Sequence, residues 1–338
     1  MKRLLAVLSA AGILTVALFA GGTSADASIP DIPVASTVSA VDEQPVPVIK
    51  TETPRLASVT GITATATERE ALSERWGVER IAVSVAWDTV GAFGPALVAV
   101  LDTGIASDAL FYHRVVASID FTGEGSTEDA HGHGTHMAGT IAAIAPNASF
   151  LNVKVADKRG RCDAATVARA VRWAADHGAQ VINISLEVAA SPDLESAIDY
   201  AWQQGAVVIA AAGNSGNSTP AYPAAYPEAI AVAGTNQSDG LAVLSNHGDW
   251  VDIAAPGYKI YSDLPGGAYG LETGTSPAAA HVSGVAALLC GIAEDTSDNG
   301  FINDEVRYAL ESGASPLAVD GTGSGIVNAL SAMKTLAA

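Results

Sequence analysis

The sequence is short of positive charge. Its 338 residues include only 17 lysines and arginines against 36 aspartates and glutamates, a net charge of −19. Such an acidic chain repels nucleic acid and anionic bilayers, so we expect neither as a partner. Cysteine is also scarce: Cys162 and Cys290 allow at most one intramolecular bridge, and the sequence alone leaves open whether it forms. A chain of this length buries a sizeable core without needing that bridge.

Long apolar runs are absent after the N-terminus. At the N-terminus, Lys2 and Arg3 precede an apolar run over residues 4–20, and small residues at 25–27 follow it. This order is typical of a secretory signal peptide over residues 1–27, cleaved after Ala27, with a retained membrane anchor as the alternative. No later segment is long and apolar enough to span a bilayer. The sequence therefore predicts a secreted protein that leaves the membrane after cleavage.

The rest of the chain divides into two parts. Residues 28–67 are rich in Pro, Thr, Ser and Val without helical period, which is typical of a linker or a short pro-segment. Periodic structure begins near Glu68, and no internal repeat follows. We therefore assign residues 68–338 to one folded domain.

Within that domain, apolar runs of strand length alternate with helical stretches. Five continuous apolar runs predict strands buried on both faces: 96–102, 149–155, 179–185, 206–213 and 229–235. Helical spacing with a Ser or Asp start and a Gly stop predicts helices over 163–178 and 191–205. The alternation indicates an α/β fold: a parallel sheet with helices on both faces.

Polar residues stand where predicted strands end. In such sheets ligands bind outside the carboxyl ends of the strands, and Asp102, Ser185 and Asn214 all occupy such positions. The simplest interpretation of Asp102 on its own is an aspartate that caps a turn. A paired-aspartate protease is disfavoured, because the nearest second copy of Asp-Thr-Gly begins with Glu272.

Three histidines lie within six positions, His131, His133 and His136. One interpretation is a metal-binding hydrolase, but Thr135 stands where that signature needs an acid. The other is a single catalytic base. Apolar spacing after Gly134 predicts a helix with His133 at its start and His136 within its first turn.

A second helix start follows the turn Gly274-Thr275-Ser276. A serine there lies beside the free N–H groups of the helix, where a negative oxygen is stabilised. The simpler alternative is a serine that caps the helix. The Asn214 side-chain amide can donate to the same oxygen, or it can serve only as a turn residue.

Together these motifs carry a resemblance to a known family. The segments "DTG", "HGTHMAGT", "AAAGN" and "GTSPAAAHVSG" make residues 70–336 resemble the subtilisin-like serine proteases. The order Asp, His, Ser along the chain is the one found in subtilisin. The resemblance implies a three-layer αβα fold with a mostly parallel, doubly wound central sheet. It also implies protein or peptide substrates and no cofactor for the chemistry; we expect a monomer.

The resemblance assigns roles residue by residue. It makes Ser276 the nucleophile, His133 the base and Asp102 the group that orients His133. The Asn214 side chain and the Ser276 backbone N–H match the oxyanion hole. It implies a structural role for His136 and leaves His131 as a solvated turn residue.

The same resemblance predicts the substrate-binding segments. A peptide would lie as an added strand between two chain segments, beside a pocket for the residue that precedes the scissile bond. The residues concerned are Gly160, Arg161, Cys162; Ser185, Leu186, Glu187; and, in the pocket wall, Ala211, Ala212, Gly213.

Several positions depart from the family pattern. Glu187 and Cys162 stand where the family usually has Gly. We hypothesise that Glu187, helped by Glu272, favours basic substrates; the alternative is that Glu187 only faces solvent. An unpaired Cys162 would make activity sensitive to thiol reagents. These departures also leave a second function open, a catalytically silent relative that binds peptides.

The usual calcium site of the family also lacks a clear counterpart in this sequence. The loop of the usual tight calcium site looks deleted after the His133 helix, although weak structural calcium elsewhere is not excluded. Residues 294–305 resemble an EF-hand loop, but Val306 stands at its twelfth position, so the match fails. We expect Asn303 to cap a helix instead.

The pro-region is short. The roughly forty residues between Ala27 and the catalytic domain are too few for the folded pro-domain that many members of the family carry. We expect the catalytic domain to fold without one.

Overall fold

The computed structural model describes residues 76–90 and 93–337. The predicted signal peptide, the segment 28–67 and the predicted start of the catalytic domain at residue 68 lie outside these residues. The described strands are β1 (Ala96–Asp102), β2 (Val115–Asp120), β3 (Ala148–Lys154), β4 (Val181–Ile184), β5 (Val207–Ala211), β6 (Ala229–Thr235), β7 (Ile253–Pro256), β8 (Ile260–Leu264) and β9 (Ala268–Glu272).

The helices connect these strands and close the chain. They are α1 (Trp76–Arg80), α2 (Val83–Val90), α3 (His133–Ile144), α4 (Ala164–Asp176), α5 (Pro192–Gln203), α6 (Thr275–Cys290), α7 (Asn303–Ser312) and α8 (Ala329–Leu336). A short 3-10 turn, Tyr112–Arg114, precedes β2.

Seven strands form one parallel sheet in the order β2-β3-β1-β4-β5-β6-β7. Both faces of the sheet are buried, which explains why its strands read as continuous apolar runs. In β1, for example, Val98 and Val100 belong to one core cluster, while Ala99 and Leu101 belong to the other. Strands β8 and β9 form a separate antiparallel hairpin.

Helices cover the sheet on both sides. Helices α2, α3, α6, α7 and α8 contribute to the core on one face, and α4 and α5 to the core on the other. The expected three-layer αβα fold with a mostly parallel central sheet is therefore confirmed. Among the described helices, none has the length and apolar composition needed to cross a membrane.

Most of the predicted strands and helices are present, but several are shorter than predicted. The strand predicted over 206–213 ends at Ala211, and the helix predicted over 163–178 is Ala164–Asp176. One local prediction is wrong: Asn303 does not cap α7. It is the first residue of that helix, and its side-chain amide donates instead to Trp202 O (3.0 Å), because the loop packs against the end of α5.

The strand order also locates the site. From β1 the chain builds β2 and β3 on one side of the sheet, and then crosses to build β4 to β7 on the other. Ligands bind in the crevice at such a switch point, outside the carboxyl ends of the strands. Asp102 ends β1, and Ser185 directly follows β4, the neighbouring strand.

Candidate active site

Asp102 is held rigidly at the end of β1. Its side chain is fully buried, and its Oδ1 accepts hydrogen bonds from the Thr103 N–H (2.7 Å) and from His133 Nδ1 (2.7 Å). Burying a carboxylate is costly unless it is paired, so this contact strongly favours a protonated Nδ1 on His133. The other imidazole nitrogen, Nε2, is then left to accept a proton.

His133 is the first residue of α3, and a buried aspartate shapes the turn before it. Gly132 precedes the helix with φ 104°, a left-handed conformation suited to glycine. Asp129 accepts hydrogen bonds from the Gly132 N–H (2.8 Å), the Thr103 hydroxyl (2.9 Å) and both the N–H and hydroxyl of Thr135 (2.9 and 2.7 Å). Burial acts to raise the pKa of Asp129, but these hydrogen bonds hold it below its usual range. Sequence reasoning missed Asp129, because the bonds exist only once the turn is folded.

Carboxylates surround His133. Burial lowers the pKa of its imidazole, but the charge and hydrogen bond of Asp102, with smaller contributions from Glu272 and Asp129, raise that pKa to about 9. Glu272 Oε2 lies 4.0 Å from His133 Nε2. Burial raises the pKa of Glu272 to about 7, although a protonated His133 opposes this shift. The geometry thus favours the imidazolium form of His133.

Ser276 is the second residue of α6, at the same edge of the sheet. Its hydroxyl donates to Ser185 O (3.1 Å), and the Ser185 hydroxyl donates to Ser276 O (3.1 Å). The Asn183 amide, from β4, donates to that Ser185 hydroxyl (3.0 Å). The start of α6 is thereby fixed to the end of β4.

Asn214 lies three residues beyond β5 and next to this turn. Its Oδ1 accepts from the Thr275 N–H (2.9 Å). Within the described residues neither Asn214 Nδ2 nor the Ser276 N–H has a hydrogen-bond partner. Two donors beside Ser276 are therefore available to a developing negative oxygen.

One predicted substrate-binding segment, residues 185–187, follows β4 at the same edge of the sheet. The backbone N–H and C=O groups of Leu186 and Glu187 have no partner in the described part of the chain, whereas Val188 N–H donates to Tyr222 O (2.9 Å). An unpaired stretch of this kind accepts an extended peptide by strand addition. The pocket wall is buried at Ala211 and Ala212, and Gly213 continues it.

The predicted substrate-binding segment 160–162 belongs to a turn fixed by Asp157. The Asp157 carboxylate accepts from the Arg161 N–H (3.0 Å) and forms an ion pair with the Arg161 guanidinium (2.7 Å). Gly160 adopts φ 71° in this turn. Cys162 follows it, half-buried, and both Cys162 and Cys290 are free thiols. Burial, together with the charge of Asp102, raises the pKa of Cys162 to about 11.

The three histidines do not converge on one point. His133 faces Asp102, whereas the buried His136 lies by Ile260 O (3.0 Å) and Gly270 O (3.3 Å) and ties the β8–β9 hairpin to α3. His131 is exposed, as expected, but its ring contacts that of His133 edge-on (6.3 Å between centroids) and adjoins Gly160. No cluster of three or more His, Cys, Asp or Glu side chains placed to hold a metal occurs in the described ranges.

Comparison with known proteins identifies the family. The model of the subtilase family matches residues 95–329. Thermitase from Thermoactinomyces vulgaris is 40% identical over 277 residues, 78% of this chain and 96% of thermitase. Subtilisin BL from Lederbergia lenta is 38% identical over 275 residues, 78% of this chain and 100% of that protein. Alkaline elastase YaB from a Bacillus strain is 38% identical over 271 residues, 77% of this chain and 70% of that protein. The chain therefore belongs to the subtilase family and is a serine endopeptidase.

Proposed function

We propose that the protein is a secreted endopeptidase that hydrolyses peptide bonds through an acyl-enzyme, with Ser276 as nucleophile. The observation that carries the proposal is the 2.7 Å bond between Asp102 and His133 at the edge of the sheet where Ser276 lies in the first turn of α6. This arrangement leaves His133 Nε2 as the one nitrogen able to take the serine proton.

The first half-reaction forms the acyl-enzyme. His133 Nε2 removes the proton from the Ser276 hydroxyl as the oxygen attacks the carbonyl carbon. The negative oxygen that develops accepts hydrogen bonds from Asn214 Nδ2 and the Ser276 N–H, and Asp102 stabilises the imidazolium. His133 then gives the proton to the leaving nitrogen, and the C–N bond breaks.

The second half-reaction reverses these roles. Water loses a proton to His133 and attacks the acyl carbon, and the proton returns to Ser276 as the ester bond breaks. No cofactor takes part. The substrate is a protein or peptide held as an added strand between residues 160–162 and 185–187. We further propose a monomer, exported by the leader 1–27, with residues 28–67 as a short pro-segment or linker.

Hydrolysis of an unfolded protein tests this function against the alternatives. Purified full-length protein should cleave denatured casein, Ser276→Ala should not, and EDTA should leave cleavage unchanged while a serine-directed phosphonate abolishes it. Cleavage lost to EDTA but resistant to the phosphonate would indicate a metal hydrolase. Peptide binding without cleavage would indicate the catalytically silent relative. Secretion is tested separately, by N-terminal sequencing of the protein recovered outside the cell: it should begin at Ser28 if residues 28–67 are a linker, or after residue 67 if they are a pro-segment that is removed.

A further inference from the structure

Glu187 carries a negative charge at the substrate crevice that nothing in the described structure neutralises. It follows Ser185 and Leu186 on the segment whose backbone is open to a peptide, and its side chain is exposed. Within residues 76–90 and 93–337 its carboxylate has neither a hydrogen-bond nor an ion-pair partner. In a chain with a net charge of −19, an unpaired carboxylate at this place attracts positive charge.

The Glu187 carboxylate lies against Gly213. A Cβ atom placed on Gly213 would lie 2.5 Å from Asn246 Nδ2, 2.9 Å from Glu187 Oε2 and 3.3 Å from Ala221 Cβ. Gly213 has φ 97° and no side chain, which lets the Glu187 carboxylate and the Asn246 amide approach its backbone this closely. Asn214 is the next residue along the chain.

The position of Asn214 determines which substrate residue approaches Glu187. In the proposed mechanism the scissile carbonyl oxygen lies at Asn214 Nδ2 and its carbon at Ser276. The residue that supplies this carbonyl is the one before the scissile bond, so we expect its side chain to approach Gly213, which precedes Asn214, and the Glu187 carboxylate beside it. Ala221, which also borders Gly213, is apolar. A long aliphatic stem with a cationic end matches this apolar contact and this carboxylate.

We propose that Glu187 makes this peptidase select lysine or arginine immediately before the scissile bond. The proposal rests on the proposed function and adds the substrate class to it. The competing outcome is that the Glu187 side chain fills the pocket, in which case the enzyme would select alanine or glycine at that position.

The test is a series of fluorogenic peptides that share succinyl-Ala-Ala-Pro and differ in the fourth residue. Lysine, arginine, norleucine, glutamine, glutamate and alanine are compared by kcat/KM. Norleucine matches the lysine stem without its charge, so the lysine-to-norleucine ratio reports the charge alone. We expect a ratio of about ten or more in wild type, a ratio near one in Glu187→Gln, and a preference for glutamate in Glu187→Lys. In wild type the ratio should fall as salt is raised, because salt screens a partly exposed ion pair.

Glu195→Gln is the matched control. It removes the same charge from an exposed position on α5, and the ratio should stay at its wild-type value. Labelling by a fluorophosphonate shows for each variant that the active site is folded. Labelled enzyme that prefers alanine, shows no preference, or keeps its lysine preference in Glu187→Gln overturns the proposal about Glu187. Wild type that neither labels nor cleaves any of the peptides overturns the proposed function instead.

Discussion

The Glu272→Gln variant should move the pH at which the enzyme becomes active. Glu272 ends strand β9, and its Oε2 lies 4.0 Å from His133 Nε2, the nitrogen proposed to act as base. Glutamine keeps the size of the side chain and removes the charge. Removing a negative charge destabilises the imidazolium of His133, so the pKa of His133 must fall and the neutral, basic form must appear at lower pH.

The geometry sets the size of the effect. Two unit charges 4.0 Å apart interact by about 1 kcal/mol in water and about 4 kcal/mol at an effective dielectric constant near 20. The His133 and Glu272 side chains are 19% and 28% exposed, so solvent screens part of this energy. We therefore expect the charge of Glu272 to stabilise the His133 imidazolium by about 1–2 kcal/mol, which corresponds to about one pKa unit. The pKa of His133, about 9 in the wild type, should therefore fall to near 8 and not to its ordinary value, because Asp102 and Asp129 remain.

The measurement is kcat/KM for a neutral peptide substrate between pH 5 and 11. Activity should rise with pH as His133 loses its proton, and the midpoint of that rise should lie about one unit lower in Glu272→Gln. At pH 7 the variant should be up to about tenfold faster than wild type. Glu195→Gln should leave the midpoint unchanged. A midpoint in Glu272→Gln that is unmoved or higher would refute the reasoning.

Three further predictions concern the oxyanion hole, the thiol and the helix packing. Asn214→Ala should lower kcat about 100- to 1,000-fold with a smaller change in KM, the size that loss of the equivalent amide has in subtilisin itself; a loss below tenfold would remove Asn214 from the mechanism. Cys162, whose pKa is raised to about 11, should react slowly with iodoacetamide at pH 7.5, and mass spectrometry that finds it modified as fast as free cysteine would contradict this. Gly284→Ala should lower the free energy of unfolding by about 1–3 kcal/mol, because the new Cβ would lie 2.7 Å from Ile144 Cβ between α6 and α3. Alanine otherwise favours a helix by about 1 kcal/mol over glycine, so any stabilisation seen by thermal unfolding would show that no clash occurs.

The fold and the placement of the candidate site residues follow from local signals in the sequence. Strands buried on both faces are unbroken apolar runs, and the residues that end β1 and follow β4 and β5 must gather at one edge of a parallel sheet. Asp102 and Asn214 were therefore predictable from position. His133 is the first residue of α3 and Ser276 the second residue of α6, and each helix follows a Gly-containing turn and shows apolar periodicity.

What the sequence did not show depends on contacts between distant residues. The β8–β9 hairpin reaches the site because His136 lies by Ile260 O and Gly270 O, 124 and 134 residues away. Together with the Ser262 hydroxyl, which donates to His136 O (2.8 Å), these contacts bring Glu272 close to His133 Nε2. The network around Asp129 likewise depends on the folded turn. From the sequence, Glu187 and Glu272 were both expected to favour basic substrates. In the structure they have different neighbours: the Glu187 carboxylate lies against Gly213, whereas the Glu272 carboxylate lies 4.0 Å from His133 Nε2.

The covalent state of Ser276 tests the central claim most directly. Wild-type protein is treated with a fluorophosphonate at pH 9, and the adduct is located by intact mass and peptide mapping. The account predicts one adduct per chain on Ser276, none in Ser276→Ala, and labelling slowed by at least about 1,000-fold in His133→Ala, where no base remains. An adduct on another residue, or labelling of Ser276 at the wild-type rate without His133, would contradict it.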